Sequence, residues 1–120
     1  MARRTALLVV VAGTLLLAGC AGSSGPPDSK ATDRALEAET DYVSARLQNA
    51  TCLGSWGVGE YTTNAEATVV DRTNRGVVVE VQRPYSWERG AMTADAVSNA
   101  RYLVTESDTV RQSGPPIDPC

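Results

Sequence analysis

Thr73-Asn74-Arg75-Gly76, followed by Val77-Val78-Val79-Glu80-Val81-Gln82-Arg83-Pro84-Tyr85-Ser86-Trp87-Glu88, is the stretch that decides the fold. Val77, Val79, Val81, Arg83, Tyr85 and Trp87 share one parity, and Val78, Glu80, Gln82, Pro84, Ser86 and Glu88 share the other. That period of two belongs to a half-buried strand. The four residues before it read as a hairpin turn, with Gly76 placed for a positive φ. Upstream, Ala65, Ala67 and Val69 alternate with Glu66, Thr68 and Val70, which makes Ala65 to Arg72 the partner strand. Pro84 has no N–H to give to a ladder, so the strand is an edge there or bends. Arg89-Gly90 ends it.

Working outward, Met92 to Ala100 fits either a loop or a short helix capped by Thr93. Arg101 to Thr105 is a strand, Glu106-Ser107-Asp108 a turn, and Thr109 to Gln112 a short last strand. On the N-terminal side, about Thr32 to Asn49 has helical periodicity. Leu36, Val43, Leu47 and Ala50 recur with Thr40 on one stripe, while Asp33, Glu37, Glu39, Asp41, Arg46 and Gln48 supply polar faces. Thr32 or Asp33 is the expected N-cap. These elements predict an α+β domain, one N-terminal helix packed on a three- to four-stranded antiparallel sheet. The element order resembles a cystatin-type or related α+β roll. No motif stands behind that likeness, so it implies nothing about function.

The first twenty residues have the build of an export signal: Arg3 and Arg4, an apolar run from Leu7 to Leu17, then Ala18-Gly19. The run is shorter than the roughly 20 apolar residues of a spanning helix. Leu17-Ala18-Gly19-Cys20 resembles the lipobox of bacterial and haloarchaeal lipoproteins. The resemblance covers residues 1–20 and implies removal of residues 1–19 and lipidation of Cys20 as the new N-terminus. The expected organisation is a signal peptide over 1–19, a lipid anchor and flexible Gly/Ser/Pro linker over 20–31, and one small domain over 32–120. Arg3-Arg4-Thr5-Ala6-Leu7-Leu8 also resembles a twin-arginine signal, so the export route stays open between the two.

Without Arg3 and Arg4, nine basic side chains face fourteen acidic ones, a formal charge of −5. Such a surface repels nucleic acid and anionic headgroups, so the membrane is expected to be met through the lipid alone. Lys30 is the one lysine against ten arginines. An acidic, lysine-poor composition resembles secreted proteins of haloarchaea and of other hosts with GC-rich genomes.

Three cysteines leave an odd thiol, but a lipidated Cys20 leaves the pair Cys52 and Cys120, which we expect to form a disulfide. Closing a loop of about 70 residues is worth about 4 kcal/mol on the chain-entropy account. Asn49-Ala50-Thr51 is an N-glycosylation acceptor triplet. In the glycine-marked loop that follows, Trp56 is either an exposed recognition aromatic or, as we favour, a cap on the core beside the disulfide.

The sequence has no histidine. That excludes histidine-based serine and cysteine triads and histidine-ligated metal sites. A Ser-Lys dyad would need Lys30, beside the linker. No phosphate-cradling glycine motif and no calcium loop is present, and Glu60, Glu66, Asp71, Glu80 and Glu88 read as solvated faces. No cofactor, metal or catalytic residue is therefore expected. Arg83, Tyr85 and Trp87, with Trp56 near, are the candidate binding surface, being residue types that dominate interface hot spots. The parity of the strand favours Tyr85 and Trp87 as a continuation of the core face. The expected function is a non-catalytic interaction or accessory module of the cell envelope, held to the membrane and facing outside the cytoplasm, with another envelope protein as its partner. The alternative is a small-ligand binding lipoprotein serving a transporter or sensor, which predicts a pocket between helix and sheet.

Overall fold

The computed structural model describes residues 25–58 and 65–120. The expected export-signal segment, Cys20 and Glu60 lie outside them. In chain order come helix α1 (Asp28–Gln48) and strands β1 (Ser55–Gly57), β2 (Glu66–Thr73), β3 (Gly76–Arg89), β4 (Met92–Val104) and β5 (Thr109–Ser113). The class is α+β, with one helix on an antiparallel sheet of five strands, more than the three or four expected.

β3 is the axis of the sheet. β4 follows one edge of it without a break, from Val77↔Val104 to Arg89↔Met92, and β5 lies outside β4. β1 and β2 share the other edge of β3 in succession. The Glu88 carbonyl accepts the Gly54 N–H at 2.9 Å, so Glu88 turns its backbone polar groups toward the β1 side. By strand alternation Pro84, four residues earlier, turns the same way. There it falls between the last pair of β1, Gly57↔Ser86, and the first pair of β2, Glu66↔Gln82. The missing N–H of Pro84 thus coincides with an interruption of the neighbouring strand.

The hairpin turn is where the sequence puts it. Thr73 pairs with Gly76, and Gly76 has φ 149°, with space for a Cβ only 2.6 Å from the Val104 carbonyl oxygen. β2 and β5 each carry one extra residue. Val70 is unmatched between Val69↔Val79 and Asp71↔Val78, and Gln112 between Arg111↔Tyr102 and Ser113↔Arg101.

Three expectations need correction. The helix begins at Asp28, not near Thr32, and takes in the last residues of the expected linker; neither Thr32 nor Asp33 caps it, since Pro27 holds the N-cap position without a side-chain bond. Pro26 is buried, its carbonyl accepts from Arg72 Nη2 at 3.2 Å, and Asp28 pairs with the same guanidinium at 2.5 Å. Those contacts dock the start of the helix early. Second, the buried stripe of the helix is Ala31, Ala35, Glu39, Val43 and Leu47. Spaced by four, it runs through Glu39, which composition assigns to a polar face. Third, Met92 to Ala100 is neither loop nor helix but the first two thirds of β4. Its small residues Ala94 and Ala96 sit opposite Trp87 and Tyr85, so the bulk that marks a strand is on the partner and its own alternation is faint.

The core has two parts. Ala31 and Ala35 of α1 meet Val77, Val79, Val81, Ala100, Tyr102 and Val104 of the sheet. Nearer the other end of α1, Val43 and Leu47 meet Ile117, with Tyr42, Leu53, Val58, Tyr85 and Trp87 packed around them. Ile117 belongs to the irregular segment after β5. Besides that burial, the segment is held by Arg46 donating to the Ile117 carbonyl, Arg89 to that of Pro119 and Arg111 to those of Gly114 and Pro115. The Cys52–Cys120 disulfide closes it, with a Cα–Cα distance of 5.9 Å.

Candidate functional site

Strand alternation sends the odd-numbered residues of β3 toward α1. Val77, Val79 and Val81 are buried there, and Arg83, Tyr85 and Trp87 continue the row half-buried. Trp56 pairs directly with Trp87, so the two rings share a face, and the four candidate surface residues do lie together at one end of the sheet. They are not alike. Tyr85 and Trp87 pack against Val43, Leu47 and Ile117, and burial pushes the Tyr85 phenol above the ordinary tyrosine value. Trp56 is 41% exposed. Among the described residues it is the aromatic open to solvent at this end, and not the cap on the core that the sequence favours.

Arg83 sits opposite Ser98. Its Nε is buried and has no hydrogen-bond partner among the described residues. The other guanidiniums near the core all have acceptors: Arg34 on the Thr105 carbonyl at 2.6 Å, Arg72 on Asp28 and Pro26, Arg111 on Glu39. A buried N–H without an acceptor carries its full desolvation cost.

Next to Arg83 lies the polar centre that the sequence does not announce. Glu39 is fully buried. Its Oε1 accepts from Ser98 Oγ and from Arg111 Nη2 at 3.3 Å, and its Oε2 from Tyr102 at 2.5 Å and Arg111 Nε at 3.0 Å. The Arg111 guanidinium also stands 4.1 Å over the Tyr42 ring. Burial would lower the Arg111 pKa, but the hydrogen bonds and charge of Glu39 outweigh it and hold it above its usual value. Burial, and then the bond to the Glu39 carboxylate, raise the Tyr102 phenol well above the ordinary range. Both oxygens of the carboxylate are satisfied by donors from β4 and β5, which makes the cluster a fastening between helix and sheet and leaves no lone pair turned to an open cleft. The signal for it in the sequence is the four-residue spacing of Ala31, Ala35, Val43 and Leu47 with position 39 at its centre.

Among the described residues no helix lies over the far face of the sheet. Val78, Leu103 and Val110 lie in register across three strands, Val110 52% exposed, and Glu80 pairs with Arg101 beside them. A depression of about 300 Å³ there is lined by Glu80, Gln82, Asn99, Arg101 and Ser113 among others. Asn49 follows the helix as its C-cap and is exposed, so its side chain is accessible for modification. Cys52 and Cys120 are joined, so neither is a free thiol. Among the described residues no cluster of metal-ligating side chains occurs, and no helix is long and apolar enough to cross a membrane. No family model, curated protein or solved structure matches the chain, and the cystatin-type likeness stays one of element order.

Proposed function

We propose that the chain is a lipid-anchored extracytoplasmic lipoprotein, and that its disulfide-closed α+β domain is a non-catalytic interaction or accessory module of the cell envelope. The observation that carries this reading is the Cys52–Cys120 disulfide. A disulfide of this kind belongs to an oxidising compartment, and its formation leaves Cys20, in Leu17-Ala18-Gly19-Cys20, as the one cysteine without a partner cysteine. The Trp56, Arg83, Tyr85 and Trp87 end of the sheet is the surface offered to a partner. The small-ligand reading is less favoured, because beside Ser98 and Tyr102 the layer between helix and sheet is occupied by Glu39 and its donors.

The test is the intact mass of the protein extracted from membranes. The expected mass begins at Cys20, carries a lipid there and lacks two hydrogens for the disulfide; an unlipidated chain starting elsewhere refutes the anchor. For the interaction half, proximity crosslinking of the native protein on its membrane should give an adduct that weakens in Trp56→Ala, a substitution at an exposed side chain. Unchanged adducts would remove this surface from the proposal.

A further inference from the structure

We infer that the domain stands end-on at the membrane: the turns at 73–76 and 105–108 and the first turn of α1 face the lipid headgroups, and the β3–β4 tip at 89–92 points away from them. The inference rests on the lipid anchor at Cys20 proposed above, and adds which surface meets the bilayer and which a partner. The start of the helix is fixed to one end of the sheet. A Cβ on Gly25 would lie 3.0 Å from Val77 Cγ2 and 3.1 Å from the Val104 carbonyl oxygen, so its backbone is packed on the residues that pair where β3 begins and β4 ends. Pro26 is buried, Arg72 holds both the Pro26 carbonyl and Asp28, and Arg34 reaches the Thr105 carbonyl. Five residue steps separate Gly25 from Cys20. At about 3.3–3.6 Å each they reach no farther than about 18 Å, whatever their path. A lipidated Cys20 therefore keeps the Val77 and Val104 end of the sheet beside the headgroups. β3 is 14 residues long, and at about 3.3 Å per residue its Arg89 end lies roughly 40 Å from that point.

A tether of that reach also allows the sheet to lie flat, and charge decides against it. The far face carries Glu66, Asp71, Glu88 and Asp95, beyond the Glu80–Arg101 pair, by register with the even-numbered residues of β3. On the opposite side Asp33, Glu37 and Asp41, spaced by four, form an exposed stripe along the outside of α1. Laid on either side, the domain would press carboxylates against anionic headgroups, at distances too short for salt to screen them fully. At the anchored end the exposed Lys30 and Arg75 balance Glu106 and Asp108, and Asp28 is taken up by Arg72. Of the three surfaces this end carries the smallest excess of negative charge. The opposite end then presents Met92, 51% exposed, with Trp56, 41% exposed, near it on β1. Apolar side chains held that far from the anchor suit a partner that stands off the bilayer and approaches from its outer side, not one embedded in it.

The test uses the lipid-bearing full chain extracted from membranes, its Cys20 modification read by mass, in vesicles of phosphatidylcholine and phosphatidylglycerol that carry a dansyl group on some headgroups. Energy transfer from tryptophan to dansyl reports nearness to the bilayer. Both native tryptophans, Trp56 and Trp87, belong to the distal end. Ser107→Trp adds a donor at one anchored turn and Arg75→Trp at the other, each at an exposed position, so one variant still reports if the other does not fold. The expected result is transfer at least threefold more efficient from the added tryptophan than from the native pair. Equal efficiencies, or stronger transfer from Trp56 and Trp87, overturn the end-on arrangement. A chain without lipid on Cys20 overturns the anchor and the arrangement together, whereas a lipid-bearing chain with equal transfer overturns the arrangement alone.

Discussion

Replacing Glu39 should come close to unfolding the protein, although a charged residue on a helix of this composition is ordinarily dispensable. Glu39 is fully buried and accepts four hydrogen bonds, two of them from Arg111. Glu39→Ala leaves a largely buried guanidinium, a phenol and a hydroxyl without their acceptor. Breaking one side of a buried ion pair costs about 3–5 kcal/mol, against a total stability of about 5–15 kcal/mol for a typical domain. Urea unfolding followed by the fluorescence of Trp56 and Trp87 reads the loss. With a denaturant slope of about 1–1.5 kcal/mol per molar for so small a chain, the midpoint should fall by about 3 M. The mechanism is separable from simple loss of packing. Glu39→Leu combined with Arg111→Leu removes both charges, and an apolar pair of similar volume is often no worse than the ion pair it replaces. The double variant should therefore be less destabilised than the sum of the singles by about 2–3 kcal/mol. A midpoint for Glu39→Ala within about 0.5 M of the parent, or strict additivity of the two leucine substitutions, would refute the account of a coupled buried pair.

Replacing Cys52 and Cys120 by serine together removes a cross-link spanning 68 positions of chain and should cost about 4 kcal/mol in the same unfolding assay; a loss under about 1 kcal/mol would mean that the unfolded chain is little constrained by it. Gly76→Ala puts a Cβ 2.6 Å from the Val104 carbonyl oxygen at a φ of 149°, and a drop in thermal midpoint equivalent to about 1–3 kcal/mol is expected. An unchanged midpoint would show that the hairpin relaxes freely. In alkali, Tyr102 keeps its proton in the folded state above the pH at which it loses it when unfolded. The sign follows: its contribution is intact below about pH 10 and declines above it by about 1.4 kcal/mol per pH unit as the unfolded chain deprotonates. Stability measured from pH 9 to 11.5 should fall, and should fall less steeply in Tyr102→Phe; equal slopes in the two proteins would contradict it.

How far the sequence can be read depends on where the bulk sits. The hairpin is legible because Val77, Val79 and Val81 carry their own burial signal and Gly76 marks the turn. The disulfide is legible by counting only once the lipobox resemblance has set Cys20 aside. β4 is only half legible: Tyr102 and Val104 announce it, while Ala94 and Ala96 are small where the opposing Trp87 and Tyr85 carry the bulk. The helix is recognisable, but its buried row is misread at Glu39, since polarity argues for solvent and only the donors brought by β4 and β5, distant in sequence, make burial affordable. The early start at Asp28 depends likewise on Arg72, from the far strand β2. For the candidate surface, parity places Arg83, Tyr85 and Trp87 on one face, and Trp56 joins them through a three-residue strand too short to leave a periodic trace. The buried Nε of Arg83, which meets no acceptor among the described residues, has no counterpart in sequence, because it depends on how the elements around it pack.

The extra residues Val70 and Gln112 lie in β2 and β5, the two longer outer strands. A one-residue insertion bends a strand and breaks the even spacing of its outward N–H and C=O groups, so another molecule cannot dock there as a further strand in continuous register. Copies that meet along the β2 or β5 rim are therefore poor templates for a continuous ribbon. With a formal charge of −3, like-charged copies repel, so a contact that lasts must come from the faces, where side chains rather than backbone decide what is recognised.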